Sequence, residues 1–247
     1  MDRMLYVAMA GASQTMLAQG ANAHNLANAS TPGFREDLLA FSDEALQGAG
    51  YQSRVYATAD SPGVNLQPGS IMATGNELDI AVNGEGWIAV RAADGSEGYT
   101  RAGDLRVLPT GELVNGAGFA VIGSSGVPIA LPPSEKVEIG VDGTITVRPN
   151  GQSPAALAVV DRIKLVNPDP AQLEKGLDGL MRLRDGAAAP ADAKVTVVSG
   201  ALEGSNVNPV DAMVNMIELA RQYEMEVKLM KAAEENDQSS AQLMRIA

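Results

Sequence analysis

The chain has 247 residues, a formal net charge of −12, 45% apolar residues and no cysteine. That length holds one large domain or two modest ones. The acidity argues against nucleic acid as a partner, because phosphate recognition needs clustered Lys and Arg, and the missing cysteine excludes disulfides, thiolate catalysis and Cys-based metal sites. Aromatic residues make up only 4% against 26 glycines, a balance that favours many tight turns over a deep aromatic-lined pocket. No apolar run reaches the length of a membrane span, so direct membrane insertion is not expected.

Residues 1–29 repeat apolar and small side chains at helical spacing. Leu5, Met9, Ala12, Met16, Gln19, Ala23 and Leu26 alternate spacings of four and three, a heptad-type seam with one polar member. Gly11 and Gly20 permit close approach of a partner helix but each costs about 1 kcal/mol relative to Ala, so this end is expected to be loosely ordered until it packs. A signal-peptide reading is opposed on two counts. Asp2 beside Arg3 cancels the basic start, and the helical pattern runs through Ala21-Asn22-Ala23 to Leu26. Pro32 predicts a helix stop near Asn28 to Ser30. His24, the only histidine, has no acid near it in sequence until Glu36 and reads as a helix-surface or interface residue without a catalytic role.

Leu38, Leu39 and Phe41 predict a short second element, and residues 42–74, rich in Gly and Pro, read as an extended connector. Texture then changes. Strands are predicted around Leu78–Val82, Trp87–Val90, Tyr99–Arg101, Leu105–Leu108, Leu113–Val114, Phe119–Ile122, Val137–Ile139, Thr144–Val147, Leu157–Val166, Met181–Leu183 and Val195–Val198. Turn pairs separate many of them, with Asn83-Gly84 predicted to close a tight hairpin. The fold class is therefore α+β, mainly β, with an antiparallel hairpin-built domain over 75–200. Asp94-Gly95 and Asp142-Gly143 lack the oxygen-ligand run of a calcium loop, and Gly84-Glu85-Gly86 precedes a strand, not the helix of a phosphate cradle.

Asn208 is placed to cap a final helix and Pro209 suits its first position. Met213, Ile217, Ala220, Tyr223, Val227 and Met230 form its stripe, which weakens at Glu234 and Asp237 and returns at Leu243, Met244 and Ile246. A single helix cannot bury its own stripe. The N-terminal and C-terminal helices are expected to pair as a coiled-coil-like bundle, and their stripes are the candidate assembly interface. The domain division is 1–41, 42–74, 75–200 and 201–247.

Three stretches, in this order, resemble the bacterial flagellar rod and hook family. They are Asn25-Leu26-Ala27-Asn28-Ala29-Ser30-Thr31-Pro32-Gly33-Phe34, then Gly75 to Trp87 with its continuations Tyr99 to Gly103 and Gly111 to Val114, then Leu202-Glu203-Gly204-Ser205-Asn206-Val207-Asn208-Pro209-Val210 with Arg221 to Glu224. The opening Met1 to Met9 is similar to proximal rod members, with distal rod members, usually longer in the connector, as the alternative. The resemblance implies a structural subunit with no cofactor and no reaction. It implies export through the flagellar type III apparatus without a cleaved signal peptide, and a place in the periplasmic rod of the basal body. Its implied partners are copies of itself and other proximal and distal rod proteins, with 1–41 and 201–247 forming an inner tube domain. Two other classes are the alternatives: a secreted carbohydrate-acting enzyme, which needs a cleft with paired acids, and a hook-type chaperone or cap protein.

Overall fold

The computed structural model describes residues 4–45, 55–149 and 157–246. Met1, Asp2 and Arg3 of the opening signature, residues 46–54 of the connector and the side chains of Leu243, Met244 and Ile246 lie outside the described part. The chain forms two compact units: a helical one of Met1–Ala29, Asp37–Gly63 and Val207–Ala247, and a β unit of Ser30–Glu36 and Val64–Asn206.

In the helical unit, helix α1 (Met4–Ala27) stops where proline predicts. Its end is closed by Asn28, whose backbone N–H and side-chain amide both donate to the His24 carbonyl, at 3.1 and 2.9 Å. Helix α2 (Pro209–Ile246) starts at the predicted proline. Asn208 Oδ1 accepts the Val210 N–H at 3.0 Å, and Asp211 in the first turn suits the positive end of the helix dipole. The segment read as a connector is largely structured: strands β1 (Asp37–Ala45) and β2 (Val55–Val64) form a two-stranded sheet. Val55, Tyr56 and Thr58 favour extended backbone, and a two-stranded sheet tolerates Pro62 because each strand has a free edge.

The β unit begins with β3 (Ile71–Ala73) and β4 (Ile80–Asn83). It continues with β5 (Trp87–Arg91), β6 (Glu97–Thr100), β7 (Leu105–Val107), β8 (Leu113–Asn115) and β9 (Ala120–Val121). Then follow β10 (Ser134–Ile139), β11 (Thr144–Pro149), β12 (Ala158–Arg162), β13 (Leu165–Val166), β14 (Leu173–Lys175), β15 (Met181–Leu183), β16 (Thr196–Ser199) and β17 (Ala201–Glu203). Every recorded pairing in this unit is antiparallel. The main sheet has the order β14-β15-β6-β5-β9-β8-β7, with β13 also on β5; β10-β11-β12 form a second sheet.

β5 explains the core. Ile88 and Val90 enter one buried cluster with Leu113, Val121, Ile145 and Ile163, while Trp87 and Ala89 enter another with Tyr99, Val166 and Met181. A strand buried on both faces reads as one apolar run, as Trp-Ile-Ala-Val does. The predicted hairpin at Asn83-Gly84 does not form. β4 pairs instead with β16, Asn83 opposite Thr196 and Ile80 opposite Ser199. The chain then leaves this sheet at Gly86, where φ is +129° and a Cβ would sit 2.6 Å from Val195. A long-range partner thus overrides the local turn signal. β14 and β17, both short, had no pattern to announce them.

Tyr99 supplies a pH test of this core. Its buried hydroxyl oxygen accepts the Ala189 N–H at 2.7 Å, and burial pushes its pKa up to about 12. The unfolded value is about 10, so folding favours the neutral phenol. That contribution is whole below pH 10 and is lost as pH rises from 10 towards 12, with a slope of at most about 1.4 kcal/mol per pH unit. Urea unfolding of the wild type should lose stability more steeply through this window than Tyr99→Phe. Parallel pH profiles for the two would refute the assignment.

Candidate functional site

The two terminal helices pack with opposite chain directions: Asn22 Nδ2 donates to the Ala212 carbonyl at 2.7 Å, while Thr15 Oγ1 donates to both Glu226 carboxylate oxygens at 3.2 Å. The buried line on α1 is small and polar: Ala8, Ala12, Thr15, Ala18 and Asn25. On α2 it is Ala212 and Ala233, with Met216, Leu219, Ala220, Glu226, Val227 and Met230 half-buried. Spacings of four and three recur along it. Gly11 leaves room for the Glu226 carboxylate, which lies 3.0 Å from where its Cβ would be.

The predicted stripes divide between the two sides of this packing. Ala12 is buried, and Leu26, Ala220, Val227 and Met230 are half-buried. Leu5, Met9, Met16, Ala23, Met213, Ile217 and Tyr223 face outward, joined by Tyr6, Leu17, Val210, Val214, Met225 and Leu229. Met9 is 54% exposed, Met16 64% and Ile217 55%. The reason is steric: small residues let backbones approach closely, so the pairing face of α1 selects Ala and Thr and leaves its long side chains outside.

At the end of α1, Asn25 exchanges two hydrogen bonds with the Asp37 backbone, both at 2.9 Å, and His24 Nδ1 lies 2.8 Å from Asp37 Oδ2. His24 is thus a helix-surface residue with an acid partner that sequence distance concealed.

Most of the other motif residues meet in the β unit, while Val207 and Asn208 belong to the helical one. Gly33 donates its N–H to the Glu203 carbonyl at 2.8 Å. Its φ is +67° and a Cβ would fall 2.2 Å from the Arg101 carbonyl carbon, so no larger residue fits. Asn206 Oδ1 accepts the Glu36 N–H at 2.8 Å, and its amide donates to the Asn65 and Gln67 carbonyls at 2.8 and 3.0 Å. Phe34 lies under Lys175 Nζ, 4.3 Å from the ring centre. Thr31 accepts the Phe34 N–H at 3.3 Å, Pro32 and Ser205 are half-buried, Val207 is buried, and Asn208 caps α2.

Within the β unit these segments also hold a charged cluster, whose pairing the motif pattern did not state. Glu203 is 1% exposed; its carboxylate meets Arg35 Nη2 at 2.7 Å and Arg101 Nη1 at 2.8 Å. It also accepts the Gly69 N–H at 2.9 Å. Arg35 donates further to the Gln67 carbonyl and Arg101 to that of Gly84. Both guanidiniums lie over Trp87, at 5.7 and 5.4 Å. Burial lowers the Arg35 pKa from its ordinary value; Glu203 opposes this and Arg101 adds to it. The available signal was position: Arg35 follows the first motif directly and Glu203 lies inside the last.

The family model described as "Flagellar hook protein FlgE/F/G D1 domain" matches residues 81–147, and "Flagellar basal body rod FlgEFG protein C-terminal" matches residues 198–243. The chain is 42% identical to the flagellar basal-body rod protein FlgF of Salmonella typhimurium, over 100% of both chains. It is 33% identical to FlgF of Caulobacter vibrioides, over 98% of each. Identity to the rod protein FlgG of Agrobacterium fabrum is 30%, over 94% of this chain and 96% of that one. The distal-type alternative is therefore not favoured. With full-length identity at this level, the chain belongs to the family of flagellar basal-body rod proteins, most like FlgF, and is a structural subunit of the rod.

Proposed function

We propose that this subunit occupies the proximal rod and assembles through α1 and α2, with copies of itself and with other rod proteins, to carry torque across the periplasm. The observation that carries this reading is the outward apolar face of both helices, from Leu5 and Met9 to Ile217 and Leu229. Burying a large apolar side chain contributes roughly 1.5–3 kcal/mol relative to leaving it in water. A neighbouring subunit that covers this face gains that energy, less the cost of ordering and association. In the assembled rod the helices continue as a coiled-coil-like bundle, with Ala12, Ala220, Val227 and Met230 inside the pair and Leu5, Met9, Met16, Met213, Ile217 and Tyr223 towards neighbours. The subunit reaches the rod through the type III export apparatus without losing a signal peptide. It performs no reaction; its relatives carry the names of rod proteins.

Met9→Asp and Ile217→Asp place a charge on side chains more than half exposed in the subunit. Folding and secretion should stay within about twofold of wild type, since exposed substitutions cost little. Incorporation into purified basal bodies and swimming should be lost. Normal swimming of both variants would sink the assembly reading.

The pairing face gives a second test. Thr15→Val removes the hydroxyl that donates to Glu226 and leaves a carboxylate in the seam without it. Thr15→Ser keeps the donor. The valine variant should weaken helix pairing by about 1–3 kcal/mol, read as an earlier loss of far-UV circular dichroism on heating. The serine variant should melt close to wild type; equal melting of all three would remove this contact from the seam.

A further inference from the structure

The chain passes between its helical and β units at four peptide links: 29–30, 36–37, 63–64 and 206–207. Inside the β unit, the segments carrying these links are tied to one another. Asn206, beside the last link, accepts the Glu36 N–H of the second and donates to the Asn65 carbonyl of the third. Asn65 in turn donates its N–H to the Glu36 carbonyl at 2.8 Å and its amide to Glu36 Oε2 at 3.1 Å. The first link opens this same segment, 30–36, which is held a second time through Gly33, bonded to the Glu203 carbonyl. Glu203 carries the tie inward, to Arg35 and Arg101 and so to Trp87.

We propose that Asn206 and Glu203 form a force-sharing clamp, which binds the three segments that carry the four crossings (30–36, 64–69 and 201–206) into one body so that torque loads them together. The load follows from the rod reading; the clamp is a property of the chain itself. The chemistry selects these residues. One amide side chain offers acceptor and donors at once, and Asn206 uses both kinds. An aspartate there would accept from Glu36 but turn a carboxylate on the Asn65 and Gln67 carbonyls. Separate tails would yield one at a time, each bond taking the whole load in sequence. Segments cross-bonded at one place must yield together. The cluster beneath has two guanidiniums and one carboxylate. Losing the carboxylate leaves two buried positive charges unpaired, whereas losing one guanidinium leaves a neutral pair.

The test uses the full-length chain carrying Asn206→Asp, Glu203→Gln or Arg35→Met. Amide exchange is read at Gly33, Glu36 and Asn65 against the core strands at Ile88 and Leu113. Swimming is read in dilute and in viscous medium. Asn206→Asp should speed junction exchange by about tenfold or more with the core unchanged. It should leave swimming near normal in dilute medium and abolish it in viscous medium. Glu203→Gln should open the junction more than Arg35→Met. Unchanged junction exchange, or equal acceleration in the core, overturns the clamp. The reverse order of the two charge variants overturns the role given to Glu203. Faster junction exchange with viscosity-independent swimming overturns force sharing while leaving the rod reading intact. Failure of the rod reading has its own signature, normal swimming by Met9→Asp and Ile217→Asp.

Discussion

A carboxylate cannot stay charged in a protein interior alone, and the β unit depends on how Glu203 avoids that. Desolvating an ion costs several kcal/mol, recovered only with close partners and satisfied lone pairs. Glu203 has two guanidiniums and the Gly69 N–H. Those partners come from residue 35, residue 69 and residue 101, so the charge is satisfied only when distant segments have converged. Apolar side chains do not discriminate between neighbours in this way. Ile88 would be content against many surfaces, whereas Glu203 accepts one arrangement. Trp87 adds a face on which both guanidiniums rest, which eases the desolvation of an excess positive charge. The motif residues around it follow from the same convergence. Three chain segments in close approach leave no room for a Cβ at Gly33.

The helices obey a different economy. Their mutual contact is lined by Ala, Thr and Gly, and it places Asn22, Thr15 and Glu226 where polar groups must find partners. Such a seam fixes register well. The larger side chains of α1 from Leu5 to Leu17 are turned away from it, while α2 brings Met216, Leu219, Val227 and Met230 half-buried to it. An interface that keeps its strongest hydrophobic surface for a second contact suits a component that must fold first and then be covered.

Sequence periodicity found both helices to within a residue or two, because Pro32 and Asn208-Pro209 mark their ends by backbone chemistry that tertiary contacts do not overrule. The four-and-three stripe on α1 runs through Leu5, Met9 and Met16, whereas the face turned to α2 is lined by Ala8, Ala12, Thr15 and Ala18. That line shares Ala12 with the stripe and otherwise runs one residue before Met9, Met16 and Gln19, so a reading that weights Met and Leu over Ala passes over it. In the β unit, hairpins with local turns were legible: Asp94-Gly95 joins β5 to β6 and Asp142-Gly143 joins β10 to β11. Pairings between remote segments were not. β4 with β16 and β3 with β17 join residues more than a hundred positions apart, and nothing in either strand names its partner.

The same limit explains why the junction was legible as a motif but not as a mechanism. Asn206, Gly33 and Phe34 stood out by family pattern, which says that residues belong together without saying what they do to each other. Their roles depend on Asn65 and Glu36, which carry no local signal at all, and on Arg101, which the family pattern contains without a stated partner. Asn65 reads as one more polar residue in a Gly- and Pro-rich stretch until its amide is placed against Glu36 and its carbonyl against Asn206. Hydrogen-bond capacity is a property of a single residue, and so it is present in the sequence. Its use is a property of a meeting, and at this junction the meeting is made by segments 30–36, 64–69 and 201–206 closing around one buried charge.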